Sequence, residues 1–548
     1  MIFYPTQRKQ ISLMFISKKE LLVKLKINAG KIKGEPFDFN KIERFFLLRD
    51  KNHFYQVISD RTFQDLDMNE VFMFIDRTAS KIGQQVLYQV LRTIPGNNSR
   101  TEKFEKIIDI LKENPEVRDE LLLEISSLNK RDAYYVSSLF LENYLQKPKW
   151  FWIIPVLSLV SFFSVLLSFI FPQVIIFLVL LLSVNFGIHY WNKMNLYQYS
   201  SSIPQLLKLN QTAKKIVTFH SMKDIEPDVS ESIKAIDSLG MQMSLFKLEV
   251  KLQSEIGLAV EYLVELVKAL LLIEPLVLYN VLKELDLKRA QIQHVYEFVG
   301  EIDAAMSIHF LREDLPHFCF PTSASGQKQI TALEVYHPLI YQSVPNSIRL
   351  HEKSALLTGS NMSGKTTFIR TIGINTIAAQ TINTCFAKTF TAPLLKVHSA
   401  IRISDDLLND KSYYFEEVLT IRTLLEESDS GAGNLFLLDE LFKGTNTTER
   451  IASGKAVLSY LNKADNITFV ATHDLELAML LKDTFSMFHF TEIVQDGAIV
   501  FDYKIKPGNL SNTNAIRILE LNDYPKEVTE EAKELAKRIY EDKSNPEG

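Results

Sequence analysis

Between Trp150 and Asn192 the chain carries no Asp, Glu, Lys or Arg. The run reads WFWIIPVLSLVSFFSVLLSFIF, then PQ, then VIIFLVLLLSVNFGIHYWN. About 20 apolar residues rising ~1.5 Å each cross ~30 Å of hydrocarbon, so this length suits two helical spans. Pro172 and Gln173 are the natural turn between them. Soluble core helices rarely run this far without charge, which disfavours a buried helical pair. Lys147 and Lys149 precede the first span and Lys193 follows the second, while the turn has no basic residue. Trp150, Trp152, Tyr190 and Trp191 mark one membrane face, where amphipathic rings anchor. This pattern predicts a hairpin in the cytoplasmic membrane with both soluble parts facing the cytoplasm. The run lies too far along the chain to be a signal peptide. Ala269–Leu282 (ALLLIEPLVLYNVL) is shorter, holds Glu274 and Pro275 and is bracketed by Lys268 and Lys283. It predicts a buried core helix instead.

The remaining composition is that of a folded chain: 548 residues, 46% hydrophobic and 23% charged. At roughly 150 residues per domain this suggests three or four units. A net charge of -5 excludes an overall basic surface for nucleic acid, so any DNA contact needs a local patch. Two cysteines, Cys319 and Cys385, exclude a disulfide framework and a thiolate zinc site and point to a reducing compartment. Met1–Lys51 holds twelve Lys or Arg against five Asp or Glu, with alternation in LLVKLKIN. It reads as a strand-rich piece, a basic surface arm or a solvated charged face. The expected organisation is a basic segment over 1–60, a helical core over 61–149, the hairpin over 150–192 and a second core part over 193–312. A Pro- and Gly-marked linker over 313–330 then leads to an α/β domain over 331–548.

The strongest local motif is SALLTGSNMSGKTTFIR, in which Gly359, Gly364, Lys365 and Thr366 match G-x-x-x-x-G-K-[ST]. Glycines let the backbone curl so that its N–H groups face phosphates at a helix N-terminus. Lys365 brings a point charge to the β- and γ-phosphates, and the Thr366 hydroxyl suits Mg²⁺. Downstream, NLFLLDEL is an apolar strand ending in Asp439 and Glu440. Two acids ending a strand mean little alone. Behind a phosphate loop, Asp439 would hold the metal and Glu440 would act as general base. ITFVATHD ends at Thr472 and His473. A lone histidine at a strand end is more often structural, but its place after the acidic pair fits a γ-phosphate sensor.

TGSNMSGKTT (Thr358–Thr367), SDDLLNDKSYYFEEV, LLDELFKGTNTTE and ATHDLELA together resemble the MutS family of DNA mismatch-repair ATPases, a branch of the ABC-type ATPases. The family loop typically reads TGPNMGGKST. VYHPLI (Val335–Ile340), VPNSI (Val344–Ile348) and VGEIDAAMS (Val299–Ser307) resemble further family segments, and NAIRILELNDYPKEVTEEAKEL resembles its C-terminal dimerisation helices. The resemblance runs from roughly Asp65 to Lys537. It implies a fold in which an ABC-type P-loop ATPase domain follows a mostly α-helical core, here interrupted by the hairpin. It implies ATP and Mg²⁺ as cofactors, a homodimer with composite ATP sites, and DNA as partner. Gly359, Ser360, Asn361, Met362, Ser363, Gly364, Lys365, Thr366 and Thr367 would then cradle the nucleotide, with Asn361 near the γ-phosphate. Ser412 would be offered to the partner's ATP, and Gly444, Thr445 and Asn446 would form the loop crossing the dimer. Thr366 and Asp439 would hold the metal, while Lys365, Glu440 and His473 would serve hydrolysis.

Family mismatch sensors carry an N-terminal domain with a Phe-x-Glu wedge. Here no Phe-x-Glu precedes Phe140-Leu141-Glu142, which lies in a helical stretch beside the uncharged run. No strand-rich clamp insertion is legible between Asn192 and Arg312, and the C-terminus leaves no room for an appended nuclease. The expectation is a mismatch-repair-related ATPase without a mismatch-reading module. The alternative, from another class, is an ATP-driven membrane switch or scaffold acting on a protein or lipid partner. An ABC transporter subunit fits poorly, because the LSGGQ-type signature is absent and two spans are too few for a pathway.

Overall fold

The computed structural model describes residues 17–142, 149–195, 197–239, 265–324, 328–360, 362–402, 413–495, 498–508, 516, 519–520 and 524–544. Contacts divide the chain into two compact units. The first combines Met1–His53, Ile75–Val90 and Asn97–Asp314; the second combines Phe54–Phe74, Leu91–Gly96 and Leu315–Gly548. Part of the stretch expected as helical core, 61–149, thus belongs to the second unit. Side-chain chemistry explains this: the buried Asp65 carboxylate accepts from Ser399 Oγ and from the Ile401 and Arg402 amides. The Gln56 amide likewise pairs both ways with the Val397 backbone.

The described part of the first unit is helical. Lys18–Ala29 (α1) is a helix although LLVKLKIN alternates like a strand. Ser17 Oγ accepts from the Glu20 amide while the Glu20 carboxylate accepts from the Ser17 amide, a reciprocal cap that favours helix over the alternation. Ser99–Glu113 (α2) buries Phe104, Ile107, Ile108 and Leu111, one stripe at helical spacing. Phe140, from the Phe-x-Glu tripeptide, is buried against Phe45 and Tyr296, so it is a core ring here.

The uncharged run forms a turn of 3-10 helix, then Ile153–Ser168 (α3) and Val174–Asn195 (α4). Lys149–Ser168 and Val174–Trp191 are each long and apolar enough to cross a bilayer, and only 17% of each is buried. Trp150 and Trp191 meet edge to face at 4.9 Å, bringing the two ends together. Ile273–Asp286 (α5) packs on both helices. The core helix expected over Ala269–Leu282 is broken, with Leu272 in the left-handed region at φ 47°. Pro275 has no N–H to offer the Leu271 carbonyl four residues back. That carbonyl accepts from Ser158 Oγ at 2.7 Å, and the Leu270 carbonyl accepts from Asn185 Nδ2 at 2.6 Å. Asn185 Nδ2 also reaches Ser161 Oγ at 2.8 Å, so a polar seam closes the inner face of an otherwise apolar hairpin. Arg289–Asp314 (α6) is buried over most of its C-terminal half. There Asp303 accepts from the Ala79 and Ser80 amides and from Ser80 Oγ. The described residues of 193–312 contain no strand, and 240–264 lies outside the described residues.

The second unit holds the sheets. Gln56–Val57 (β1) pairs antiparallel with Thr93–Ile94 (β2). Thr322–Ser323 (β3), Gln329–Val335 (β4), Asn346–His351 (β5) and Thr389–Ala392 (β7) form a four-stranded sheet in the order β3-β7-β4-β5. The central sheet uses Ser354–Thr358 (β6), Lys396–Ala400 (β8), Asn434–Asp439 (β9), Ile467–Ala471 (β10), Phe485–His489 (β11) and Lys506–Pro507 (β14). Glu492–Gln495 (β12) and Ala498–Phe501 (β13) form a separate hairpin. The central order is β14-β11-β6-β10-β9-β8, parallel throughout except at the β14 edge. β6 and β10 are buried at every position, as strands covered on both faces must be. Lys365–Ile382 (α7), Tyr413–Ser428 (α8) and Thr447–Leu461 (α9) are its main helices.

Candidate functional site

The strand order places three chain ends side by side. β6 runs into the glycine-marked loop, β9 ends at Asp439, and β10 ends at Ala471, opposite Asp439 and Leu357. All three are carboxyl ends of neighbouring parallel strands, where open α/β sheets leave a crevice. A cavity of about 780 Å³ opens there, lined among others by Ser363, Lys365, Thr366, Asp439, Glu440 and Lys443.

Backbone geometry shapes the loop. Gly359 has φ 146°, and a Cβ on it would stand 2.6 Å from the Phe490 carbonyl oxygen. Gly364, at φ 107°, is the N-cap of α7. Neither position accepts a side chain without strain. The Lys365 ammonium is nearly buried and donates to the Gly359 and Ser360 carbonyls at 2.7 and 2.8 Å, folding back over its own loop. Burial lowers its pKa, with Asp439 the largest opposing influence. Ser363 Oγ is buried and has no hydrogen-bond partner among the described residues. An unfilled donor beside a curled backbone at a helix N-terminus suits an anionic ligand.

The acidic strand end is built to match. Thr366 Oγ1 donates to Asp439 Oδ2 at 2.8 Å, joining two oxygen ligands of the kind that hard divalent cations take. Burial raises the Asp439 pKa and the Thr366 bond offsets this only in part, so a cation would relieve a desolvated carboxylate. Glu440 is held at both oxygens: His473 Nδ1 lies 3.1 Å from Oε1 and Lys443 Nζ 3.0 Å from Oε2. Burial pushes its pKa up, but the hydrogen bonds and charges of Lys443 and His473 outweigh it and hold the carboxyl below the usual range. Glu440 and Met362 both adopt left-handed φ, at 53° and 69°, a strained backbone that the surroundings must hold in place. Part of that hold is the buried Glu417 carboxylate, which accepts from the Phe442 amide.

The structure therefore brings Gly359, Ser360, Met362, Ser363, Gly364, Lys365, Thr366 and Thr367 together with Asp439, Glu440 and His473. Asn361 and Ser412 lie outside the described residues. Gly444 packs against Tyr414, Thr445 donates to Glu449, and Asn446 caps α9 by accepting from the Glu449 amide. Sequence reasoning assigned no role to the opposite cavity wall, where His337, Tyr341, Val344 and Tyr503 lie. Its first three members fall in or beside VYHPLI and VPNSI, so the signal was there without a role attached. His337 has its pKa lowered to about 4, mainly by burial and next by Arg370. It is neutral at pH 7, with Nδ1 accepting from the Leu339 amide at 3.3 Å. Lys443 was also missed, although its spacing from Glu440 is that of an i,i+3 ion pair.

Comparison with known proteins agrees with this geometry. Residues 355–540 match the family model of MutS domain V. The DNA mismatch repair protein MutS of Thermus thermophilus is 30% identical over 203 residues, 36% of this chain and 25% of that protein. That of Aquifex pyrophilus is 30% identical over 278 residues, 49% of this chain and 32% of its own. That of Listeria monocytogenes is 28% identical over 266 residues, 46% and 30% respectively. The matches thus span a quarter to a third of these curated relatives. The segment matched as domain V carries the loop, the Asp439–Glu440 strand end and His473, so this part of the chain is similar to MutS domain V.

Proposed function

We propose that this protein is a membrane-anchored, Mg²⁺-dependent ATPase that works as a dimer with composite ATP sites and acts on DNA without reading mismatches. The observation that carries the ATPase reading is the Thr366–Asp439 pair lying between the Lys365 loop and Glu440. The residues fit the cofactors: a Ser363 hydroxyl with no partner among the described residues and glycines at positive φ line the loop, and the Thr366 and Asp439 oxygens lie side by side. When bound, ATP and Mg²⁺ supply the γ-phosphoryl group and the charge that neutralises it. Lys365, now on the Gly359 and Ser360 carbonyls, would turn to the phosphate oxygens. Thr366 and Asp439 would hold the metal. Glu440 would give up Lys443, turn the freed Oε2 to the attacking water and accept its proton, while His473 would keep Oε1 in place. Asn361 near the γ-phosphate and Ser412 offered by the second copy remain roles that the resemblance implies.

The membrane anchor rests on two apolar helices with mostly exposed faces and on lysines flanking both ends. This orientation keeps both soluble parts in the cytoplasm. DNA enters as partner because the matched relatives are named mismatch repair proteins. With Phe140 in the core and a net charge of -5, binding is backbone-driven and weakened by salt.

The test uses the full chain in detergent. Lys365→Ala should weaken nucleotide binding, and Glu440→Gln should keep binding while losing turnover by about 100-fold or more. Equal turnover by Glu440→Gln and the parent would remove Glu440 as the base. The same preparation is titrated with paired and one-mismatch duplexes across salt. A steep salt slope with similar affinities supports the DNA reading. No binding at low salt would favour a membrane switch acting on a protein or lipid.

A further inference from the structure

Cys319 and Cys385 are the only cysteines in the chain. Far apart in sequence, they stand directly opposite each other in an isolated antiparallel bridge. The Cys319 amide donates to the Cys385 carbonyl at 3.0 Å and the Cys385 amide to the Cys319 carbonyl at 2.9 Å. Residues that exchange both bonds have Cα atoms about 5.5 Å apart. Disulfides bridge Cα separations of about 4.4–6.8 Å, so the backbone already holds the distance that the bond needs. The side chains also meet. The Cys319 pKa is lowered, first by a hydrogen bond with the Cys385 side chain and against the effect of burial. The two thiols differ in access, Cys319 being partly exposed and Cys385 fully buried. Among the described residues no histidine or carboxylate joins them in a metal-holding group.

We infer that Cys319 and Cys385 form a redox-active dithiol site that closes to a disulfide under oxidation by a small-molecule disulfide. The chemistry balances. The Cys319 thiol loses a proton and its sulfur attacks one sulfur of the oxidant, forming a mixed disulfide and releasing one small thiol. Cys385 then loses its proton and attacks Cys319 Sγ, expelling the second small thiol. The two protein thiols are oxidised, the oxidant's S–S bond is reduced, and both protons leave on the released thiols. The division of labour follows access: Cys319 meets the oxidant and Cys385 resolves, because only an attack from within the protein can use a buried thiol.

The position makes the bond consequential. Cys319 lies in the segment that leaves α6 at Asp314, and Cys385 lies just past the end of α7, the helix that begins at Lys365. Next to Cys385, the Phe386 carbonyl accepts from the Tyr336 amide at 3.0 Å, and Tyr336 and His337 line the cavity. Oxidation therefore ties the connecting segment covalently to the far end of the loop's own helix and to the cavity wall. In a reducing cytoplasm the pair rests as thiols and the bond is conditional.

The experiment needs no nucleotide turnover and so stands apart from the ATPase reading. Purified full chain is equilibrated at graded ratios of oxidised to reduced glutathione and mapped by mass spectrometry without reduction. One linked peptide pair joining Cys319 to Cys385, two hydrogens lighter, should appear and vanish with dithiothreitol. Oxidation should raise Tm by a few degrees in the parent but not in Cys319→Ser. Cys385→Ser should stop at a stable glutathione adduct on Cys319. Should that variant not fold, the parent and Cys319→Ser decide the question. Persistent glutathione on Cys319 of the parent, or both thiols surviving strongly oxidising ratios, overturns the inference.

Discussion

Leu437 in β9 is fully buried, whereas Leu180 in α4 is 64% exposed, although both sit in uninterrupted apolar runs. The runs differ in length and in what covers them. Apart from the two-residue edge β14, a strand of the central sheet is five or six residues long and is closed by neighbouring strands and by helices such as α7 and α9. The hairpin helices are long enough to cross a bilayer, and among the described residues only 17% of each span is buried. Phe169, Ile170 and Ile176 are each more than two-thirds exposed. Apolarity alone does not decide burial; it decides only that water is a poor neighbour. A chain hides short apolar runs within itself and leaves long uncharged ones to another apolar phase.

Placing one aspartate in each region gives the largest expected contrast. Leu437→Asp leaves an unpaired charge in a closed core and should cost about 3–5 kcal/mol, a large share of a stability of roughly 5–15 kcal/mol. Thermal unfolding in detergent should show the second unit lost or strongly destabilised. Leu180→Asp should leave that unfolding temperature unchanged but disfavour membrane insertion by about 2.5–3.5 kcal/mol, read as protein lost from washed membranes. If Leu180→Asp unfolds the detergent-solubilised protein as Leu437→Asp does, the hairpin is a soluble core and the contrast collapses.

Acidification should probe the sheet unit with a smaller effect. The folded pKa of His337, about 4, lies below the unfolded value of about 6.5. Between those values the unfolded chain binds more protons, so this group makes stability rise with pH across that window and fall on acidification. Asp303, raised to about 6 by burial, acts oppositely, its contribution falling as pH rises from about 4 to 6. The variant must therefore be compared with the parent. His337→Gln should lose less Tm between pH 7 and pH 5 than the parent does. Equal losses would show that His337 is not the titrating group.

The smallest effect should come from the seam. Asn185→Ala removes the bonds to Ser161 and the Leu270 carbonyl, and such bonds between membrane helices average about 0.6 kcal/mol, reaching about 1.7. Unfolding of the hairpin in mixed detergent should shift slightly. A loss of several kcal/mol would mean that the seam behaves like the closed sheet core.

The sequence carried some features plainly and hid others. The loop and its helix were legible because G-x-x-x-x-G-K-T sets its geometry within a few residues, and the NLFLLD and ITFVA strands were legible as buried apolar runs. The helix over Lys18–Ala29 was misleading, because LLVKLKIN alternates while the deciding Ser17–Glu20 cap is a two-residue signal. Nothing local marked Asp65 or Gln56 as partners of the distant Ile401 and Val397 backbone. Pro275 lies inside the stretch expected as one core helix, so the break before α5 was not foreseen, and the Leu271 and Leu270 carbonyls find Ser158 and Asn185 only in three dimensions.

By itself the sequence determined what depends on neighbours along the chain: the uncharged length of Trp150–Asn192, the curl of the Gly359–Gly364 loop, and the acidic end of β9. Only the tertiary structure decided which of these meet. Thr366 reaches Asp439 across 73 residues, and His473 reaches Glu440, because β6, β10 and β9 lie side by side in an order that does not follow the chain. Cys319 faces Cys385 for the same reason, through a backbone bridge that neither cysteine's local sequence encodes. Strand order comes from how many buried faces pack at once, a sum over the whole unit, and no short window of residues contains it.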